Sequence, residues 1–198
     1  MDDKTDIELY VGSILYVEEI DVEEALTIKS TDYFYVLYKH NPEDNSIKMQ
    51  ISQRIPSSLN STQKGKIGEE IARIVLNMYG TNCENLMQMQ SPGSPFDILD
   101  WVNEIRYDVK FSKEHHPTEN GATNWKFCLK GDRGEKNYEQ DADYLYLVGV
   151  YDDPSKTPAF FKIPTNIEAV KTHSDILIPT SGNSIYQIFR IYPLGQEI

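Results

Sequence analysis

Apolar residues at Ile7, Tyr10, Val11, Ile14 and Leu15 recur at helical spacing, which predicts an amphipathic helix over residues 5–19. Residues 21–29 predict a second short helix. The aromatic and β-branched run YFYVLY at 33–38 favours a strand. The turn-rich HNPEDN and the alternating IKMQI follow it, so a hairpin is the preferred reading of 32–52. A helix-turn-helix over 21–39 competes, with Ala25, Leu26, Ile28, Phe34 and Leu37 at its core positions. Against it, Lys29 stands where such a turn commonly takes a glycine.

Residues 56–63, PSSLNSTQ, read as a linker. A long helix follows over 63–79, with Ile67, Ile71, Ile74, Val75 and Met78 on its apolar face and Gly80 as a C′ residue. Strands are predicted at 84–89, 96–101, 104–111, 125–129, 143–151 and 158–163, then a helix at 165–172 and a last strand at 185–192. The run ADYLYLVGVY reads as a buried central strand. Helices interleaved with strands argue an α/β fold. The domain reading is an N-terminal accessory region, 1–60, for recognition or dimerisation, and a main domain, 61–198.

Composition narrows the function classes. The chain has 198 residues, enough to bury a core without disulfides. Its two cysteines, Cys83 and Cys128, lack metal-ligand spacing, which argues against a cysteine-rich zinc site. No apolar run approaches a membrane span, and the first residues lack a signal-peptide pattern, so a cytoplasmic protein that does not engage membranes is expected. The net charge of −12, with no Lys/Arg run, excludes a passive nucleic-acid coat. It leaves room for a metal-dependent enzyme acting on DNA.

The chemistry concentrates in SPFDILDWVNEIRYDVKFSK, residues 94–113. Two strand-like runs flank a turn near Val102 and Asn103. On the second run Ile105, Tyr107, Val109 and Phe111 share one face, and Arg106, Asp108 and Lys110 the other. Folding about Val102–Asn103 pairs residues whose numbers sum to 205, which sets Asp97 opposite Asp108. Any even loop length keeps Asp97, Asp108 and Lys110 on one face. Opposed carboxylates repel in a sheet; a divalent cation between them removes the repulsion, and Mg²⁺ accepts such hard oxygen ligands. A lysine in the same space suits in-line phosphodiester hydrolysis, orienting water or steadying charge on the phosphate. Taken alone, D-x-K is a weak motif, and its plain alternative is a solvated strand face.

The pattern Pro95-Phe96-Asp97, ten residues, then Asp108-Val109-Lys110 resembles the PD-(D/E)xK nuclease superfamily, with Phe96 interrupting the Pro-Asp pair. Upstream, Gly68-Glu69-Glu70-Ile71-Ala72 is similar to the first helix of that superfamily, with two acids where it has one. Glu69 fits better by its place after Gly68 and three before Ala72, while the helical wheel alone does not choose between them. The resemblance covers roughly 64–163. It implies a restriction-endonuclease-like mixed central sheet flanked by helices. It further implies Mg²⁺ (or Mn²⁺) held by Asp97, Asp108 and the Val109 carbonyl, Glu69 on a second metal or its water, and Lys110 positioning the attacking water. DNA is the implied partner, and double-strand cutting implies a homodimer.

Lys113, Lys126 and Lys130, with Arg133 and Lys136, lie in the least acidic region and are candidates to meet backbone phosphates, against a reading as ordinary surface charge. His115-His116-Pro117 opens the loop-like stretch EHHPTENGATN, where a functionless pair or a contact to phosphate are the two readings. Gly65-Lys66 is not a P-loop, because Asn60 and Ile67 replace required residues, and SPGSP at 91–95 makes no nucleophile elbow. The competing class is a catalytically silent acidic protein that occupies a basic surface of a partner. RNA cleavage is a lesser alternative, since the chemistry requires no 2′-hydroxyl.

Overall fold

The computed structural model describes residues 7–11, 14–18, 34–41, 46–53, 59–78, 83–85, 94–117, 122–129, 138–153 and 156–192. The first strands are β1 (Ile7–Val11), β2 (Ile14–Glu18), β3 (Phe34–Asn41) and β4 (Ser46–Gln53), in one antiparallel sheet of order β2-β1-β3-β4. The expected helix over 5–19 is therefore two strands. Its apolar spacing satisfies a helical period by coincidence, whereas Ile7, Tyr10, Val11, Ile14, Tyr16 and Val17 are aromatic or β-branched and favour a pleated surface. The register pairs Val11 with Ile14, so only Gly12 and Ser13 separate the paired ends. The hairpin expected at 32–52 forms, pairing Asn41 with Ser46 and Phe34 with Gln53. That strand pairing removes the helix-turn-helix alternative over 34–39; the helix expected at 21–29 lies outside the described residues.

Helix α1 (Ser61–Met78) starts two residues earlier than its periodicity predicts. Asn60 explains the early start. Its Oδ1 accepts the Gln63 amide at 2.9 Å while Gln63 Oε1 accepts the Asn60 amide at 3.0 Å, a reciprocal cap for donors that no helical turn satisfies. Ile67, Ile71, Ala72, Val75 and Leu76 form its buried stripe.

The second sheet is mixed, with eight strands in the order β11-β8-β7-β9-β10-β12 and the pair β5-β6 joined to β7. Its strands are β5 (Cys83–Asn85), β6 (Ile98–Asp100), β7 (Ile105–His115), β8 (Asn124–Cys128), β9 (Tyr144–Val150), β10 (Ala159–Pro164), β11 (Asp175–Pro179) and β12 (Arg190–Ile191). Among the described residues two short helices, α2 (Tyr138–Asp141) and α3 (Glu168–Thr172), and a 3-10 turn at Ile185–Phe189 complete the regular structure. The last predicted strand is thus mostly a 3-10 turn, started by Ser184, whose hydroxyl accepts the Tyr186 amide. Strand β11 and helix α2 have no counterpart in the sequence reading.

Two cores lie on the sheet's faces. One joins α1 to Ile98, Tyr107, Val109, Tyr146 and Phe160. The other joins Trp125 and Phe127 of β8 to Leu145, Leu147, Phe161, Val170 and Ile176. Residues 144–150 feed both cores alternately, as a central strand must. Parallel pairing of β7 with β9 is fixed at its start by Arg106 and Asp143. Asp143 Oδ2 accepts the Arg106 amide at 2.8 Å, Arg106 O accepts the Asp143 amide at 2.9 Å, and the guanidinium bridges both carboxylate oxygens.

Candidate active site

Strand β7 carries most of the expected site, and its pairing makes the site's shape. Strand β9 occupies one edge along 107–113. On the other edge β6 pairs only with 105–107, and β8 only with Glu114 and His115. Among the described residues no strand ladder fills this edge between those two pairings. Side chains fill part of it instead. Asp97 Oδ2 accepts the Val109 amide at 2.7 Å, and the Ser112 hydroxyl accepts the Lys126 amide at 3.0 Å. Because a strand residue directs its N–H and C=O to the same edge, the Val109 carbonyl faces this notch too.

The β6–β7 register pairs Ile98 with Tyr107, Leu99 with Arg106 and Asp100 with Ile105. Each pair sums to 205, so the expected register holds over 98–107. Asp97 lies just before this ladder and departs from it by one residue, its amide donating to the Tyr107 carbonyl at 2.9 Å while its carboxylate accepts the Val109 amide. The connection is a four-residue turn, 101–104, longer than a two-residue turn at Val102–Asn103 but still even. Asp100 shapes it. Its fully buried carboxylate accepts the Val102 and Asn103 amides at 3.0 and 3.2 Å and the Asn103 side-chain amide at 2.7 Å. Burial pushes the Asp100 carboxyl up, but the Asn103 and Val102 hydrogen bonds, aided by the charge of Lys162, outweigh it and hold the group below its ordinary value. Glu104 leaves the turn at φ 57°, a left-handed conformation uncommon for a residue with a β-carbon.

Asp108 is 1% exposed and forms an ion pair with Lys110, two residues along the same face. A carboxylate buried this deeply is costly without such a partner. This face is shared with Leu145 and Leu147, the partners of Asp108 and Lys110 in the β7–β9 register, so the pair lies beside the core beneath β8 and β11. Asp97, Asp108, Val109 and Lys110 are thus brought together. Glu69 and Glu70 are both half-buried on α1, which packs on the opposite face of β7. There Gly68 lies so close to Phe111 that a β-carbon on it would stand 2.7 Å from Phe111 Cβ.

Of the expected phosphate contacts, Lys113 is half-buried on β7 and Lys126 is exposed on β8. The Ser112–Lys126 bond places Lys126 two residues beyond Lys110, and its ammonium is 3.5 Å from Asp175. A hydrogen bond from the Cys128 thiol, followed by the charge of Lys126, holds the Asp175 carboxyl below its ordinary value. Lys130, Arg133 and Lys136 lie outside the described residues. Trp125, Phe127 and Leu129 are buried, as their alternation predicts.

The sequence reading missed one group. Glu114 and His116, at the end of β7, meet Asp152, just beyond β9, with one ligand atom of each within 4.8 Å of the others. This group is able to hold a metal ion. His116 carries the one sequence signal for it, the His-His-Pro stretch; Asp152 lies 36 residues away and only strand pairing brings it near.

No protein-family model matches the chain, and no curated protein matches it. Among solved structures the chain is similar to a bacterial homing endonuclease, I-Ssp6803I, at 18% identity with a TM-score of 0.44, over 66% of this chain and 86% of the other. Among the described residues no helix is long and apolar enough to cross a membrane.

Proposed function

We propose that this chain is a Mg²⁺-dependent DNA endonuclease with a PD-(D/E)xK site on a restriction-endonuclease-like core, acting as a homodimer. The observation that carries this reading is the juxtaposition of Asp97, on the Val109 amide, with the buried Asp108–Lys110 pair at a gap in the sheet edge. Two carboxylates and a main-chain carbonyl form an all-oxygen donor set, which fits Mg²⁺ and, in its place, Mn²⁺. The ion would be held by Asp97, Asp108 and the Val109 carbonyl, with Glu69 on a second ion or a metal-bound water. When bound, it would supply charge stabilisation to a phosphodiester undergoing in-line displacement.

The protein's own groups do the rest. Asp97 accepts the Val109 amide, which holds its carboxylate beside the Asp108–Lys110 segment of β7. Lys110 compensates the charge of Asp108, and with a cation held at the site its ammonium would orient an attacking water. Lys113, Lys126 and Lys130 would meet the DNA backbone, with the Lys126 ammonium exchanging Asp175 for a phosphate. The acidic balance of the chain predicts weak binding to arbitrary DNA and steep salt dependence.

The test is cleavage of supercoiled plasmid and of a four-way junction in Mg²⁺ or Mn²⁺ at low salt, with Lys110→Ala as control. Discrete fragments or resolved junctions that the variant fails to give support the reading and separate sequence-directed from structure-directed cutting. No cleavage by a folded protein that binds no Mg²⁺ would overturn it in favour of an acidic binding protein.

A further inference from the structure

We infer that Glu114, His116 and Asp152 form a second metal site, selective for a borderline transition-metal dication of the Zn²⁺ class and separate from the all-oxygen set. His116 Nε2 and Asp152 Oδ2 are 3.0 Å apart, and the three ligand atoms lie within 4.8 Å of one another. First-row ions with ligand bonds of roughly 2.0–2.2 Å need donors about 3–4 Å apart, so small side-chain rotations close the group around an ion. An imidazole nitrogen is a poor ligand for Mg²⁺ or Ca²⁺ and a good one for Zn²⁺, Ni²⁺ or Co²⁺. Two carboxylates beside it balance a dication.

The scaffold beneath these donors supports the assignment independently of their mutual contacts. Strands β7 and β9 run parallel and remain paired to Lys113 and Val150, so their carboxyl ends emerge side by side. Open α/β sheets offer ligand sites outside such ends. The Trp125 indole donates to the Val150 carbonyl at 3.0 Å and ties the end of β9 to β8, while β8 pairs with Glu114 itself. Glu114 thus stands on braced backbone, and its carboxylate accepts the Asp152 amide at 3.2 Å, which links the two strand ends beside exposed His116 and Asp152 side chains. Glu114 lies four residues beyond Lys110 on one strand, about 13 Å at the usual rise per residue. Its ion would clamp the ends of β7 and β9, with water on the remaining positions, and would take no part in the chemistry at Asp108. The assignment stands whether or not the chain is a nuclease.

The experiment is calorimetric titration of the full chain with Zn²⁺ and, separately, Co²⁺, in the presence of excess Mg²⁺. The expected result is one equivalent bound and a raised Tm, with a Co²⁺ spectrum free of thiolate absorption. His116→Ala and Asp152→Asn should each weaken binding at least tenfold and abolish the Tm shift. Asp108→Asn, His115→Ala and His173→Ala should leave both unchanged. Equal binding by wild type and His116→Ala, or an equal loss in His115→Ala or His173→Ala, would overturn the assignment. Loss in Asp108→Asn alone would do the same by showing that the ion sits in the oxygen site.

Discussion

Asp97 reaches across the notch in β7 and accepts the Val109 amide at 2.7 Å, so a side chain expected to serve catalysis also replaces a missing ladder partner. The two roles separate by substitution. Asp97→Asn keeps an acceptor for the amide and loses the charge. Its thermal unfolding should stay close to wild type while Mg²⁺-dependent cleavage disappears. Asp97→Ala leaves the amide without its acceptor and should cost a further ~1–3 kcal/mol in urea denaturation. Equal stability of the two variants would show that the amide bond contributes nothing.

Lys110→Ala removes the ion-pair cation from a carboxylate that is 1% exposed, whereas Asp108→Asn removes the ion-pair anion from a lysine that is less deeply buried. The first should cost about 3 kcal/mol and the second clearly less. Denaturant midpoints measured at neutral pH decide it, and reversed magnitudes would show that the lysine is the more deeply committed partner.

Two glycines on one helix should respond to the same substitution with opposite signs. A β-carbon on Gly68 would collide with Phe111, so Gly68→Ala must push α1 off β7 and should cost about 1–3 kcal/mol. A β-carbon on Gly65 meets nothing within 4 Å. There the loss of glycine's excess backbone freedom dominates, and Gly65→Ala should gain about 0.5–1 kcal/mol. Chevron or equilibrium urea data on the pair test this directly.

Hydrogen bonds from the Arg106 guanidinium, then its charge, hold the Asp143 carboxyl below its ordinary value. A depressed carboxyl contributes stability that is fully present above its unfolded value, about 3.9, and lost as pH falls through the lower folded value. Asp143→Asn should therefore flatten the acid limb of the stability curve below about pH 4, and Arg106→Gln should do likewise. Urea midpoints at pH 6 and pH 3 provide the comparison; an unchanged acid limb in both variants would remove this pair as its source.

The helix α1, the strands β6 to β10 and the β6–β7 register could be read from the chain because their causes are local. Asp100, Val102 and Asn103 encode a turn, and Ile105, Tyr107, Val109 and Phe111 alternate over a full strand, so a fold about 102–103 has one register that buries the apolar face. The same local logic failed at 5–19, where the apolar spacing also satisfies a helix and only pairing with β3 decides for strands. Strand β11 escaped notice because Asp175–Pro179 is short and gains its identity from β8 beside it. At the site, alternation along β7 placed Asp108 and Lys110 on one face, and the hairpin brought Asp97 beside them, though not in the alternating register that the sequence suggested. The sequence could not show that Asp97 bonds the Val109 amide, because that follows from where β6 ends. Nor could it join Asp152 to Glu114 and His116. Parallel strands need a long connection between them, and the 36 residues separating His116 from Asp152 hide a contact that the β7–β9 pairing makes.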